Sequence, residues 1–214
     1  MAELIRGLDA ARIRDNLARI RDEVGDGVEI LAAVKYVAVE ELAVLAEAGV
    51  TLVGENRAQA LEEKAAAHAD VFTWDFIGQL QSRKVKAILP RVRLIHSVAT
   101  DSALAQVERH AADGTEVLLE VNVAGEPGKG GFAPDALPGV LARCAGAQAF
   151  TVGGLMTMPP LAQDPEDSRR WFAALAQLAA DHGLARLSMG TSQDYAVAAQ
   201  EGATIVRIGS TLLR

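Results

Sequence analysis

Residues 30–35, with the sequence ILAAVK, have the composition of a β-strand that is buried on both faces and closed by a lysine. Such continuous apolar strands are typical of parallel sheets. If Lys35 faces the interior of a closed sheet, Ala33 faces it too, while Ala32 and Val34 face the surrounding helices. An amine desolvated at such a strand end has a lowered pKa and can attack a carbonyl. The alternative is a lysine that extends its charge into solvent at the mouth of the sheet.

The chain contains four other lysines, Lys64, Lys84, Lys86 and Lys129, and all of them lie in polar or glycine-rich stretches. We expect the ammonium groups of these four residues to stay hydrated. Lys35 is therefore the lysine whose surroundings require an explanation.

Composition and charge restrict the class of protein. The chain has 214 residues, half of them hydrophobic, and a formal net charge of −7 at pH 7. A negative surface repels phosphate backbones, so nucleic acid is not an expected partner. No apolar run approaches the roughly 18 to 20 residues that span a bilayer, and the N-terminus lacks the pattern of a secretory signal. The single Cys144 cannot form an internal disulfide. We therefore expect a cytoplasmic protein that does not bind a membrane.

The rest of the chain repeats the unit that begins at residue 30. Residues 9–24 have the pattern of an amphipathic helix with Asp9 as its N-cap. Short β-branched runs then alternate with longer segments rich in alanine and leucine, as in repeated βα units. The strand candidates are 29–35, 51–54, 73–77, 93–98, 117–123, 150–157, 186–189 and 204–208, and the helix candidates are about 39–48, 57–68, 81–89, 101–112, 135–146, 166–182 and 193–200.

Eight such units without a linker predict an α/β protein, a single (β/α)8 TIM barrel domain over residues 1–214 with an extra N-terminal helix. An open doubly wound sheet is the alternative, which the even count and steady spacing of the units favour less.

Polar residues follow most of the strand candidates, at the end of the barrel where chemistry is located in this fold. Glu120 and Asn122 should share one face of their strand, with Leu119 and Val121 on the other. Two polar side chains on an inward face need either a buried hydrogen-bond network or a ligand. Arg207 interrupts an apolar strand, and its guanidinium must meet a carboxylate such as that of Glu120, a carbonyl, or a ligand.

Two loops after the seventh and eighth strand candidates have the composition of a phosphate site. Gly190-Thr191-Ser192 and Gly209-Ser210-Thr211 combine small residues with hydroxyl groups, and Ser192 can be the N-cap of the helix that follows. Phosphate sites in this barrel often use the same two loops. The alternative is that both are ordinary turns.

A set of motifs extends in order along nearly the whole chain. They are Val34-Lys35, VGENRAQ (53–59), WDFIGQLQSRKVK (74–86), IHSV (95–98), LLEVNVAGEPGKGGF (118–132), GLMTMPP (154–160) and LSMGTSQDYAVAAQEGATIVRIGS (187–210). Together these motifs resemble the YggS/PROSC family of pyridoxal phosphate (PLP) homeostasis proteins. The resemblance implies a fold type III PLP-binding barrel, similar to the N-terminal domain of alanine racemase.

The resemblance also implies a set of cofactor-binding residues. Lys35 matches the lysine that forms an internal aldimine with PLP, and Arg207 matches the arginine that hydrogen-bonds the pyridine nitrogen. The phosphate-holding positions match Ser192, Gly209 and Ser210, and Asn56 and Met156 fall in motifs that line the cofactor pocket. No further catalytic residue and no metal ligand is predicted.

The function implied by the resemblance is PLP homeostasis, in which PLP is held on a lysine and buffered or delivered to PLP-dependent apoenzymes without robust catalysis. Racemisation needs acid/base groups on opposite faces of the cofactor, and the sequence offers no convincing partner for Lys35. The alternatives are an amino-acid racemase or other fold type III PLP enzyme, a Schiff-base aldolase that uses no PLP, and an interaction-based regulator. Because no large apolar helix face is evident, we expect a monomer or a weak dimer.

The chain departs from the common family pattern at three positions within these motifs. Asp75 and Arg83 replace histidine and asparagine, and we expect both at a pocket rim or at the surface. Tyr36 replaces threonine and is expected to start a loop or to point away from the barrel interior.

Overall fold

The structure is a computed structural model that describes residues 4–214. Eight parallel strands pair in chain order, and β1 pairs with β8 to close a barrel. The strands are β1 (Glu29–Ala33), β2 (Leu52–Glu55), β3 (Thr73–Phe76), β4 (Leu94–Val98), β5 (Thr115–Glu120), β6 (Phe150–Met156), β7 (Arg186–Thr191) and β8 (Ile205–Ile208). The prediction of a closed (β/α)8 barrel is therefore confirmed.

Helices surround the strands and precede the first of them. They are α1 (Ala10–Val24), α2 (Leu42–Glu47), α3 (Ala58–Ala67), α4 (Val85–Ile88), α5 (Asp101–His110), α6 (Leu137–Cys144), α7 (Arg169–Asp181), α8 (Tyr195–Gln200) and α9 (Ser210–Leu213). Short 3-10 turns precede α2, α4, α6 and α7. None of the helices in the described part of the chain is both long enough and apolar enough to cross a membrane.

Alternation along the strands divides the apolar core into two parts. The barrel interior is filled by a cluster that comprises Leu31, Leu52, Leu94, Leu118, Met156 and Ile205. Ala32 and Val34 belong instead to the larger cluster between the strands and the helices. Leu119 and Val121 lie in that outer cluster as well. The predicted alternation of both strands is confirmed, because period-two side chains of a closed sheet face inward and outward in turn.

The first strand ends earlier than its composition predicts. β1 stops at Ala33, and Lys35 and Tyr36 occupy a turn that is closed by a 2.9 Å hydrogen bond from Val37 N to Val34 O. The predicted strand 29–35 was therefore too long. Apolar composition continues past Ala33, but regular pairing with β2 ends there.

The N-terminal helix α1 packs against the C-terminal segment of the described chain. α1 begins after Asp9, whose carboxylate accepts hydrogen bonds from two backbone N–H groups of the first turn at 2.9 and 3.2 Å. Such a cap satisfies donors that lack partners within the helix. The Asn16 amide nitrogen donates to the carbonyl oxygens of Leu212 (3.2 Å) and Arg214 (2.9 Å), which ties α1 to the segment around α9.

Candidate functional site

A cleft of about 570 Å³ opens at the C-terminal ends of the strands. Its walls bring together most of the predicted site residues, namely Lys35, Asn56, Ser192, Arg207, Gly209 and Ser210. Met156 is not among the lining residues, because it packs in the barrel interior and is only 3% exposed. Met158, two residues further along, lines the cleft in its place. β6 continues to Met156, so only the residues after it reach the mouth.

Lys35 is solvent-exposed and not desolvated. Its Nζ lies 5.1 Å from the ring centroid of Tyr36 and makes no hydrogen bond or ion pair with any of residues 4–214. Of the two possibilities that the sequence left open for Lys35, the structure has the lysine that extends its charge into solvent at the mouth of the sheet. Tyr36 starts the loop after β1, which is the first of the two possibilities predicted for it, and it also lines the cleft. Both residues lie in a turn, where strand alternation no longer applies.

The buried lysine of this protein is Lys64, which the sequence suggested to be hydrated. Its side chain is 5% exposed and its Nζ donates to Val34 O at 2.6 Å and to Glu55 Oε2 at 2.7 Å. The Glu55 side chain is fully buried. The partners of Lys64 are 30 and 9 residues away in sequence. Local composition therefore could not reveal that this face of α3 points toward the barrel.

The same ion pair connects two loops of the cleft. The second carboxylate oxygen of Glu55 accepts hydrogen bonds from the backbone N–H groups of Asn56 (2.7 Å) and Arg57 (3.3 Å). Lys64 holds the carbonyl group that immediately precedes Lys35, so Lys35 and Asn56 are positioned through one buried pair. The Oδ1 atom of Asn56 is buried and has no partner among residues 4–214, so it can accept a hydrogen bond from a ligand.

Arg207 is a buried cation that faces the cleft from β8. Its Nη1 donates to Ser188 Oγ at 2.5 Å, and its Nη2 donates to Thr157 O at 3.0 Å. Burial lowers the pKa of the guanidinium to about 10, and the negative charges of Asp194 and Glu120 offset part of that shift. The group therefore stays charged at neutral pH.

A direct salt bridge between Arg207 and Glu120 does not form. In the described part of the chain, no carboxylate oxygen lies within 4.0 Å of a guanidinium nitrogen of Arg207. Burial raises the pKa of Glu120, and the charges of Arg207 and Lys129 act against that rise. A buried guanidinium without a close counterion favours a ligand that offers an acceptor or a negative charge.

The loops after β7 and β8 are joined through Ser192. Its Oγ accepts hydrogen bonds from Gly209 N (3.0 Å) and Thr211 N (3.3 Å), and Thr211 Oγ1 donates to Ser192 O at 3.0 Å. The backbone N–H groups of Ser192, Gln193 and Ser210 make no hydrogen bond within residues 4–214. Free N–H groups on two joined loops are suited to a phosphate group.

The sequence suggested that Ser192 is the N-cap of the helix that follows, and this prediction was wrong. α8 begins at Tyr195, and the residue before it is Asp194. The Asp194 carboxylate accepts a hydrogen bond from Thr191 N at 2.7 Å and so fixes the turn between β7 and α8. Ser192 is thereby left to connect the two loops.

Asn122 belongs to a local network and not to the cleft. Its amide nitrogen donates to Glu126 O at 3.0 Å, and its Oδ1 accepts from Glu126 N at 3.1 Å. Of the two possibilities that the sequence left open for this side chain, the internal network describes the structure.

Asp75 lies in the barrel interior and not at a rim, so the expectation for this departure was wrong. Its carboxylate is fully buried and accepts hydrogen bonds from Arg93 and from the buried His96. A sequence signal existed, because the flanking Trp74 and Phe76 pack in the outer cluster and so direct the residue between them inward. Arg83 is exposed, as expected. Among residues 4–214, no cluster of His, Cys, Asp and Glu side chains is suited to hold a metal ion.

Gly78 allows two walls of the cleft to approach each other. A Cβ atom at this position would lie 2.0 Å from the carbonyl oxygen of Asn56, and that neighbour is backbone that cannot rotate away. We expect Gly78→Ala to destabilise the fold by about 3 kcal/mol, the upper part of the range for overpacking, and to displace Asn56. Urea unfolding measures the loss, and Gly27→Ala is the matched control because nothing lies within 4 Å of its Cβ position. Equal stability of the two variants would contradict this account.

The chain matches a known protein family over nearly all of its length. Residues 8–213 match the alanine racemase N-terminal domain family. The barrel is similar to alanine racemase from Corynebacterium glutamicum with a TM-score of 0.76, over 96% of this chain and 60% of that one. At 15% identity this likeness shows the fold alone.

Relatives at higher identity define the family more narrowly. The pyridoxal phosphate homeostasis protein of Aquifex aeolicus is 36% identical over 94% of each chain, and that of Pseudomonas aeruginosa is 35% identical over 95% of this chain and 90% of the relative. The structure of PipY from Synechococcus elongatus with PLP bound matches at 29% identity with a TM-score of 0.85, over 94% of this chain and 100% of PipY. The chain therefore belongs to the family of pyridoxal phosphate homeostasis proteins.

Proposed function

We propose that this protein binds PLP in the cleft at the C-terminal ends of the strands and serves PLP homeostasis by holding the cofactor and releasing it. One observation carries the proposal. The cleft combines the exposed amine of Lys35 with the buried guanidinium of Arg207 and the free backbone N–H groups after β7 and β8. These three kinds of group complement an aldehyde, a ring acceptor and a phosphate, which PLP carries on one molecule.

Each cleft residue has a separate task in this proposal. Lys35 supplies the amine that attaches the cofactor covalently, and Arg207 donates to the ring nitrogen. The loops at Ser192, Gly209 and Ser210 hold the phosphate, and Asn56 offers its unpaired Oδ1 to a polar group of the ligand. Met156 supports the floor of the cleft from the interior cluster and does not line it. PLP itself supplies an electrophilic aldehyde and an electron-withdrawing ring.

The arrangement of the cleft favours holding the cofactor over racemisation. Arg207 keeps its charge at neutral pH, so a ring nitrogen that accepts from it stays unprotonated and the ring is a weaker electron sink. Tyr195 cannot act as a second acid, because its hydroxyl is bonded to Glu23 on α1, outside the barrel. Tyr36 lies beside the amine of Lys35 and so on the same wall of the cleft. Catalysis is accordingly absent or weak in this proposal.

The remaining parts of the proposal concern the cellular setting. Residues 1–214 act as a single PLP-binding barrel domain and as a monomer in the cytoplasm. PLP-dependent apoenzymes are the recipients of the cofactor, and nucleic acid and membranes are not partners. The net charge of −7 supports the exclusion of nucleic acid.

The test is covalent trapping in the purified protein. After incubation with PLP, the protein should gain the visible absorbance of lysine-bound cofactor, and borohydride reduction followed by peptide mass analysis should locate one pyridoxyl group on Lys35. Lys64 provides an internal control, because its buried and paired amine should remain unmodified. A protein that takes up no PLP, or that carries the label mainly on another lysine, would refute the proposal.

A further inference from the structure

A line of hydrogen bonds leads from the cleft into the barrel interior. Arg207 Nη1 lies 2.5 Å from Ser188 Oγ, Ser188 Oγ lies 2.8 Å from His96 Nδ1, and His96 Nε2 lies 3.1 Å from Asp75 Oδ2. Ser188, His96 and Asp75 are all fully buried. Water therefore does not compete for these bonds, and each polar atom depends on its protein partner.

The donor and the acceptor of each hydrogen bond follow from Asp75, the last residue of this line of hydrogen bonds. The carboxylate of Asp75 can only accept, so the proton of His96 belongs on Nε2. Burial lowers the pKa of His96, against the attraction of Asp75 and with the repulsion of Arg207 and Arg93, so the ring is neutral. Its Nδ1 then accepts from the Ser188 hydroxyl group. The Ser188 oxygen keeps its lone pairs for Arg207.

The negative end of the line is itself fixed. Arg93 donates to both carboxylate oxygens of Asp75, from Nε at 3.1 Å and from Nη2 at 2.7 Å. Its Nη1 donates to Glu29 Oε1 at 2.5 Å. A two-point contact of this kind orients the carboxylate as well as stabilising its charge. Asp75 is therefore held in place as the final acceptor.

We propose that Ser188, His96 and Asp75 are positioning residues that hold Arg207 in the orientation from which it recognises an acceptor atom of the ligand. Ser188 Oγ accepts from Nη1, and the Thr157 carbonyl oxygen and Met158 Sδ both accept from Nη2. Its Nε–H and the second N–H of Nη1 have no partner among residues 4–214 and are the donors left for the ligand. The assignment rests on the proposed function, in which that ligand is PLP and the acceptor is its ring nitrogen.

The first measurement needs no cofactor. Nitrogen-15 NMR of the histidine rings in the unliganded protein should show His96 as the neutral tautomer with its proton on Nε2. Asp75→Asn should lose this preference, because a carboxamide can donate as well as accept. A wild-type ring protonated on Nδ1, or protonated on both nitrogens at neutral pH, would overturn the proposed direction of the line. Because PLP is absent, this result is independent of the proposed function.

The second measurement uses PLP as the probe. Ser188→Ala and Asp75→Asn should each weaken PLP binding about tenfold, since hydrogen bonds to charged groups are among the stronger ones in proteins. Both should also shift the pH dependence of the visible absorbance, although neither residue lines the cleft. Ser168→Ala is the matched control, because Ser168 is equally buried but its hydroxyl has no partner in the described part of the chain.

The two variants must differ from the control in binding and not only in stability. If Ser188→Ala and Asp75→Asn bind PLP as the wild type does, with unchanged spectra well below their melting temperatures, the residues are structural and the proposal is overturned. If the wild type binds no PLP at all, the proposed function fails, while the tautomer of His96 still decides whether the line exists as described.

Discussion

Replacing Lys35 by alanine is expected to abolish covalent capture of PLP while leaving the stability of the fold unchanged. The side chain is exposed, makes no hydrogen bond or ion pair within the described chain, and lies over the ring of Tyr36 in a cation–π geometry. Substitution of such a residue changes the free energy of unfolding by less than about 0.5 kcal/mol. The phosphate loops and Arg207 remain in place, so weaker non-covalent binding should persist. Absorbance spectra, borohydride trapping and urea unfolding of the same preparation measure the three parts of this expectation.

Lys86→Ala is the matched control for this variant. Lys86 is exposed on α4 and does not line the cleft, so its removal should leave trapping at the wild-type level. Full retention of the borohydride-stable label in Lys35→Ala would show that another amine holds the cofactor. A large loss of stability in Lys35→Ala would show instead that this lysine supports the barrel.

Replacing Lys64 by alanine should, unlike the Lys35 variant, destabilise the fold. We expect a loss of about 3–5 kcal/mol in the free energy of unfolding, as when one partner of a buried ion pair is removed. Glu55 would lose its ion-pair partner in a fully buried position, and Val34 O would lose its donor. The turn that holds Lys35 is attached to this pair, so PLP binding should also weaken. Urea unfolding gives the stability change, and Lys86→Ala again supplies the control for loss of an exposed lysine.

A double variant separates the charge effect from simple loss of packing. In Lys64→Met combined with Glu55→Gln, no unpaired charge remains, and the amide oxygen at position 55 can still accept from Asn56 N. The double variant should therefore cost less than the sum of the two single variants. Strict additivity, or a cost for Lys64→Ala no larger than that for Lys86→Ala, would contradict the buried pair.

The fold was predictable because each βα unit has a recognisable local sequence pattern and this pattern is repeated eight times. Eight alternations of short β-branched runs with alanine- and leucine-rich segments specify βα units, and only a few architectures accommodate eight of them. The inward and outward faces of β1 and β5 followed from the same alternation. The end of β1 did not, because Val34 and Lys35 continue the strand-like composition after regular pairing with β2 has stopped.

The sequence indicated most of the residues that line the cleft, but not which of them are buried or charged without a partner. The motifs indicated Lys35, Arg207 and the loops of Ser192 and Gly209, and these residues meet at one cleft. Which lysine is buried depends on contacts across the barrel, so composition alone could not show that Lys64 is buried and that Lys35 is exposed. The burial of Asp75 escaped for a related reason, since its partner Arg93 is 18 residues away and belongs to the segment before the next strand.

The closure of the barrel determines when the cofactor can bind during the life of the chain. β1 pairs with β8, and the wall of the cleft includes both Ile5 and the segment from Gly209 to Arg214. A chain in which β8 and the loop after it have not yet folded onto β1 has no phosphate loop after β8, no Arg207 in the cleft and an open barrel edge. Contacts between such distant parts of a sequence form late in folding. If the protein holds PLP as proposed, covalent capture should therefore follow the pairing of β8 with β1, and a chain whose barrel is still open should not retain the cofactor.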